Sequence, residues 1–93
     1  NTRVVDVIAE LRDYGVEVDV HDPLVDPAEA RDEYGVDPVD VPQAARYDGI
    51  MLCVAHDAFR DLGAARIRGF GRPGHVLYDL KALLGADESD LRL

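Results

Sequence analysis

The chain has 93 residues, of which 19 are acidic and 10 basic, so its formal net charge is -9. A chain of this length builds one small core, and we expect a single domain over residues 1–93. The negative charge repels phosphate backbones and anionic lipid heads, which argues against nucleic-acid or membrane-surface binding. The single cysteine cannot form an internal disulfide, no apolar run reaches the roughly 20 residues of a bilayer span, and no signal-peptide pattern opens the chain. These features predict a soluble protein of the reducing cytoplasm.

The acidic excess has two explanations, and the sequence leaves both open. The basic residues are nine Arg and a single Lys, Lys81, while the acidic residues are mostly Asp. Such a composition suits a salt-adapted host or a GC-rich genome. It equally suits a solvated acidic surface that keeps an ordinary protein in solution.

The first 22 residues predict a helix followed by a strand. Apolar residues at the spacing of one helical face predict a helix over residues 2–14, and Gly15 suits the left-handed residue that ends it. The members of that face are Val4, Val7, Ile8 and Leu11. Valine then alternates with acidic residues over 16–20, a period of two that predicts a strand ending before Asp22-Pro23.

The next segment predicts a short helix and a loop. Asp26 suits an N-cap, Pro27 suits the first helical position and Gly35 suits the C-cap, so the helix runs through Tyr34. The Asp and Pro content of residues 36–42 predicts a loop, and residues 43–46 predict one helical turn.

The second half of the chain predicts two strands around a broken helix. The continuous apolar run over 50–55 predicts an interior strand of a parallel sheet covered on both faces. Residues 57–68 predict a helix with a break near Gly63, and the Gly- and Pro-rich stretch 69–74 predicts the turn that ends it. The last predicted strand covers 76–78, followed by a short turn or helix over 80–84 and a polar tail over 85–90.

Strands separated by helices imply crossover connections and a parallel sheet. The predicted fold class is therefore α/β, a Rossmann-like three-layer parallel sheet. Such domains normally open with a strand, whereas this chain opens with a helix. We therefore expect the segment to lack the first strand of its domain and to belong to a larger protein.

Polar side chains follow the predicted strands at their carboxyl ends, where parallel α/β sheets bind ligands. These are His21-Asp22, His56-Asp57 and Asp79 with Lys81. The alternative for each residue alone is a helix cap or an ordinary surface side chain. No pair with HxH or HExxH spacing is present, so the sequence predicts no metal site.

Catalytic motifs are also missing from the sequence. Cys53 lies within an apolar run, where a thiol acts as a small buried hydrophobe with a raised pKa, so we interpret it as structural. The sequence contains no GxSxG elbow, no P-loop and no GxGxxG loop joining a strand to a helix. The chain therefore lacks the residues of a complete enzyme.

Seven segments resemble the C-terminal domain of the UDP-glucose/GDP-mannose dehydrogenase family. In chain order they are Asn1-Thr2-Arg3-Val4-Val5-Asp6, Val18-Asp19-Val20-His21-Asp22-Pro23, Glu33-Tyr34-Gly35, Tyr47-Asp48-Gly49-Ile50, Val54-Ala55-His56-Asp57-Ala58-Phe59, Tyr78-Asp79-Leu80-Lys81 and Leu91-Arg92-Leu93. They cover nearly the whole chain in the right order, which makes the resemblance more specific than any single motif. Two of them, Glu33-Tyr34-Gly35 and Ala55-His56, look most similar to the branch that oxidises UDP-N-acetylhexosamines.

The resemblance implies a C-terminal UDP-sugar-binding domain in a three-part, NAD-dependent UDP-sugar 6-dehydrogenase. An N-terminal Rossmann domain would bind NAD, and a central helical domain would form a homodimer. The parent enzyme would oxidise the C6 alcohol of the sugar to a carboxylate through a catalytic cysteine whose motif Cys53 does not occupy, in the synthesis of polysaccharide precursors. The isolated chain is then expected to bind substrate without catalysing the reaction.

The resemblance also implies roles for individual residues. Lys81 matches the basic residue near the UDP, and its ammonium would offset diphosphate charge. Asp79 would position Lys81 or the following turn. The start of the first helix, Asn1, Thr2 and Arg3, would face phosphate or simply cap the helix. His56, with Phe59, would line the pocket or pack the domain against its neighbours.

A second class of function stays open at this stage. A stand-alone receiver-like signalling or interaction module also places Asp residues at strand ends and a late Lys. The sequence offers Ala55-His56 after its most apolar strand, where such a module needs a phospho-acceptor Asp. The dehydrogenase interpretation therefore fits better, although the sequence does not identify the sugar.

Overall fold

A computed structural model describes residues 2–92 of the chain. These residues fold into two compact units, of which the first ends at Pro42 and the second begins at Gln43. The single domain predicted over residues 1–93 stays a prediction. No helix within residues 2–92 is long and apolar enough to cross a membrane.

The first unit consists of two helices that pack against each other, α1 (Thr2–Asp13) and α2 (Pro27–Tyr34). Their contact buries Ile8 and Ala30, which are 5% and 0% exposed. Both helices end as predicted at a glycine in the left-handed region, Gly15 with φ 80° and Gly35 with φ 73°. A residue with a Cβ is strained at that φ, which explains why glycine ends each helix.

One prediction in the first unit is wrong, and one holds in position only. The segment over 16–20 forms no strand, and Val20 makes only an isolated parallel bridge with Pro38. An alternating pattern yields a ladder only where a neighbouring strand supplies partners, and within the described residues only a single bridge forms there. Asp26 does occupy the N-cap position of α2, but its side chain makes no capping hydrogen bond.

The second unit is a parallel sheet with two short helices on one face. In chain order it contains β1 (Tyr47–Leu52), α3 (Asp57–Leu62), α4 (Ala64–Arg68), β2 (Gly71–Asp79) and β3 (Leu91–Arg92). The strand order is β1-β2-β3, and both pairs are parallel. The predicted α/β, Rossmann-like class is confirmed, as is the helix break at Gly63.

The core of the second unit lies on one face of its sheet. Because side chains alternate along a strand, Leu52 of β1 and Leu77 of β2 point to the same side. There they join a buried cluster with Ile67, Leu83 and Leu84. The opposite face leaves apolar side chains partly in water: Met51 is 36% exposed, Val76 44% and Leu91 51%.

The structure corrects three predictions in this unit and adds one strand. The apolar run 50–55 was expected to be an interior strand covered on both faces, but β1 ends at Leu52 and lies at the edge of the described sheet. The stretch 69–74 is not simply a turn, because β2 begins at Gly71, opposite Tyr47. Residues 43–46 form no helical turn, since Ala45 has φ 52°. The sequence also missed β3, whose two residues are too few for a periodic pattern.

Candidate functional site

The carboxyl ends of β1 and β2 meet at one edge of the parallel sheet. Leu52 and Asp79, the last residues of the two strands, are paired in register. The backbone N–H of Leu80 then donates to the carbonyl of Leu52 over 3.1 Å. Cys53, His56 and Lys81 follow these strand ends, so the fold places three side chains in the region in which parallel sheets bind ligands.

Asp79 is completely buried, with 0% of its surface exposed. One carboxylate oxygen accepts the backbone N–H groups of Lys81 at 3.3 Å and Leu83 at 3.0 Å, and the other accepts that of Leu84 at 2.8 Å. Burial raises the pKa of this carboxyl, but the three N–H donors and the nearby charge of Arg92 outweigh burial, and the pKa is lowered. Asp79 is therefore an ionised, inward-facing acceptor that organises the turn after β2.

Lys81 lies in the turn that Asp79 organises. Its side chain is exposed, while its backbone N–H is bound to the Asp79 carboxylate. The next residue, Ala82, has φ 53°, in the left-handed region that residues with a Cβ rarely adopt. Burial raises the pKa of the Cys53 thiol, which follows the end of β1, and the charge of Lys81 acts in the opposite direction. In this arrangement Lys81 presents a cation to solvent at the carboxyl edge of the sheet.

Cys53 is half-buried just after β1. Burial raises the pKa of its thiol by more than the Lys81 ammonium lowers it. A thiol in this state is a weak nucleophile. The structure therefore agrees with the structural interpretation of Cys53.

His56 caps helix α3 with its own side chain. Its Nδ1 accepts the backbone N–H of Ala58 over 2.9 Å, so the neutral ring carries its proton on Nε2. The ring meets Phe59 edge to face, with 6.1 Å between centroids. Capping thus fixes His56 at the start of α3 and directs an N–H donor away from the helix.

The predicted site residues fall into two groups. Asp79, Lys81 and His56 lie at the carboxyl edge in the second unit. Asn1 and the side chain of Thr2 lie outside the described residues, and Arg3 is an exposed residue of α1 in the first unit. The phosphate contact predicted for these three residues therefore stays a prediction.

The remaining pair of candidates, His21 and Asp22, has local partners. His21 Nδ1 lies 3.2 Å from the carbonyl of Val39. Asp22 accepts the backbone N–H of Leu24 and the hydroxyl of Tyr34. These bonds support a structural role within the first unit.

Sequence analysis missed a polar cluster around Arg68 in the second unit. The Arg68 guanidinium binds Asp90 at 3.1 Å and lies 3.1 Å from His75 Nε2. Asp90 also accepts the backbone N–H of Leu77 over 2.8 Å. The side-chain bond from Arg68 and that N–H hold the pKa of Asp90 below its usual value. These partners are up to 22 residues apart in the sequence, so no local sequence pattern predicts their contact.

Neither a cavity nor a metal-binding cluster in the described residues involves the predicted site residues. A shallow cavity of about 450 Å³ in the first unit is lined by residues such as Arg12, Val16 and Val36, none of which is a predicted site residue. Within residues 2–92, no group of three or more His, Cys, Asp or Glu side chains is arranged to hold a metal ion. The carboxyl edge of β1 and β2 is therefore the candidate site.

Comparison with known proteins points to the same family as the sequence motifs. Residues 1–86 match the model of the UDP-glucose/GDP-mannose dehydrogenase family, UDP binding domain. The chain is 54% identical over its whole length to the UDP-N-acetyl-D-glucosamine 6-dehydrogenase of Pseudomonas aeruginosa and 50% identical to that of Salmonella typhi, covering 22% of each. Over 95% of its length it is 30% identical to Protein CapL of Staphylococcus aureus, covering 20% of that protein. No solved structure matches the chain.

Proposed function

The chain belongs to the UDP-glucose/GDP-mannose dehydrogenase family, as its UDP binding domain, and on that premise we propose that it binds the UDP end of a nucleotide sugar through Lys81. The observation that carries this proposal is the exposed Lys81 ammonium at the carboxyl edge, on a turn that the buried Asp79 holds in place. A cation is needed there because the chain carries a net charge of -9, which would otherwise repel a diphosphate. The ammonium supplies up to three N–H donors to phosphate oxygens.

The oxidation itself is proposed for the whole protein of which this chain is a part. The chain spans about a fifth of the length of the curated relatives it matches. Its residues do not fit NAD, because the sequence has no glycine-rich loop between a strand and a helix. We propose that other parts of the protein bind NAD, carry the catalytic cysteine and form a homodimer. The isolated chain is then a binding domain without catalytic activity.

The relatives suggest which substrate the whole protein takes. The proteins of Pseudomonas aeruginosa and Salmonella typhi are UDP-N-acetyl-D-glucosamine 6-dehydrogenases. We propose that the same substrate class, a UDP-N-acetylhexosamine, is oxidised here at C6. The receiver-like alternative finds no support in these comparisons.

The proposal is tested by mapping nucleotide binding on the chain with NMR. UDP and UDP-N-acetylglucosamine are expected to shift the amide signals of residues 53–56 and 80–82, and Lys81→Ala is expected to weaken those shifts strongly. NAD is expected to leave the spectrum unchanged. Shifts that persist in Lys81→Ala, or that map only to the amino ends of the strands, would refute the proposed site.

A further inference from the structure

We propose that Asp79 is a positioning residue, which sets the affinity for the diphosphate by holding the Lys81 turn in one conformation. This inference rests on the proposed function of Lys81 and adds a role that Lys81 alone does not explain. Asp79 precedes the turn and Lys81 lies in it, but their side chains point in opposite directions. Lys81 faces solvent, and the carboxylate of Asp79 faces the backbone behind it.

The contacts of Asp79 span the whole turn. Its two carboxylate oxygens hold the backbone N–H groups of Lys81, Leu83 and Leu84. Any other path of residues 81–84 would leave a buried carboxylate or buried N–H groups without partners, which is unfavourable. A single side chain thus fixes both ends of a four-residue turn.

The left-handed residue Ala82 lies within the turn that the hydrogen bonds of Asp79 hold. Ala82, with φ 53°, lies between Lys81 and Leu83, both of whose N–H groups Asp79 holds. Alanine adopts this conformation only when its surroundings impose it. The hydrogen bonds of Asp79 therefore set the backbone direction at Lys81. Only the side-chain torsions of Lys81 remain for the ligand to order.

The charge of Asp79 does not oppose this role. An exposed carboxylate beside Lys81 would repel a diphosphate or pair with the ammonium. Asp79 is 0% exposed, and three backbone N–H groups donate hydrogen bonds to its carboxylate inside the protein. Because the pKa of Asp79 is lowered, the carboxylate stays ionised throughout the neutral pH range, and both of its oxygens remain acceptors. Lys81 is thereby left to the ligand.

A merely structural role for Asp79 must be separated from positioning, since the same bonds also seat Leu83 and Leu84 in the core. Asp79→Asn keeps the shape but turns one oxygen into an NH₂ group that faces an N–H donor. We expect the turn to be in the binding geometry only a minor part of the time, so that UDP binds roughly three- to tenfold more weakly. The matched control is Gly71→Ala, which disturbs β2 at its opposite end.

The experiment measures the dissociation constant of UDP for the wild-type chain and both variants, at a temperature where circular dichroism shows all three folded. Weaker binding by Asp79→Asn with unchanged binding by Gly71→Ala supports positioning. Wild-type affinity in folded Asp79→Asn overturns it, as does an equal loss in the control. If the wild-type chain itself fails to bind UDP, the proposed function fails first, and this inference fails with it.

Ala82→Gly decides the case if Asp79→Asn does not fold. Glycine removes the strain at φ 53° and keeps every contact of Asp79, but it lets the turn visit more conformations. We expect UDP affinity to fall about two- to threefold while the melting temperature stays the same or rises. Unchanged UDP affinity in this variant overturns the proposal.

Discussion

Gly71 is where one added methyl group should do the most damage in the second unit. A Cβ on this residue would lie 2.2 Å from Cγ and 2.4 Å from Nδ1 of the His75 ring. The ring cannot simply turn aside, because Nδ1 donates to the carbonyl of Arg72 over 2.8 Å and Nε2 lies 3.1 Å from a guanidinium nitrogen of Arg68. In Gly71→Ala the ring must therefore leave, and both hydrogen bonds break.

The expected cost follows from those two bonds. A hydrogen bond contributes about 0.5–1.5 kcal/mol to the free energy of unfolding, so Gly71→Ala should lose about 2 kcal/mol. For a domain of this size that corresponds to a fall in melting temperature of roughly 8–16 °C. Urea unfolding followed by circular dichroism, with thermal melting as a second measurement, gives both quantities.

The chain supplies its own control for this prediction. Gly49 lies on the neighbouring strand, and a Cβ there would come no closer than 4.0 Å, to the carbonyl oxygen of Val76. Gly49→Ala should therefore change the free energy of unfolding by less than about 0.5 kcal/mol. The variant Gly71→Ala/His75→Ala should be no less stable than His75→Ala, since the clashing ring is gone. The reasoning is refuted if the two glycine variants melt alike, or if Gly71→Ala remains costly without the ring.

Three further predictions concern single side chains. Cys53 should react with iodoacetamide at pH 8 more slowly than a free thiol. Lys81→Ala should slow this reaction further, because it removes the charge that lowers the pKa of the Cys53 thiol. A faster reaction in Lys81→Ala would contradict the prediction. The folded-state pKa of Asp90 is lowered, so its contribution to stability is present above the ordinary carboxyl pKa of 3.8 and is lost as pH falls through the folded value. Asp90→Asn should flatten that part of the curve of unfolding free energy against pH, and an unaltered curve would count against the Arg68 cluster. His56→Ala should cost about 1 kcal/mol by removing a capping bond, whereas Asp26→Ala, which removes none, should cost less than about 0.5 kcal/mol in urea titrations; equal costs would contradict the assigned caps.

Local signals predicted the helices well. Gly15, Gly35 and Gly63 end or break helices because their φ values lie at 73–83°. Glycine adopts such values at little cost, whereas a residue with a Cβ is strained there. The carboxyl-edge placement of Lys81, Asp79 and His56 was also predictable, because parallel strands bring their ends together whatever the intervening sequence.

Features that depend on distant partners were not predictable. The alternation over 16–20 signals a strand, but pairing depends on which neighbours the chain brings beside it, and among the described residues Val20 forms one isolated bridge, with Pro38. The glycines at 71 and 74 resemble a turn locally, yet the first pairs with Tyr47 across the sheet. The inward direction of the Asp79 carboxylate depends on backbone N–H groups up to five residues ahead, which no side-chain pattern reveals.

The affinity of the chain for UDP, with and without the Lys81 charge, tests the central claim most directly. Calorimetric or NMR titration should compare the wild-type chain with Lys81→Ala and with Arg72→Ala, which removes an equal charge near the opposite end of β2, where Arg72 pairs with Asp48. We predict that Lys81→Ala loses about 1–2 kcal/mol of binding free energy, roughly a 5- to 30-fold rise in the dissociation constant, and that Arg72→Ala binds like the wild type. Equal affinities for UDP in the wild-type chain and Lys81→Ala would contradict the account.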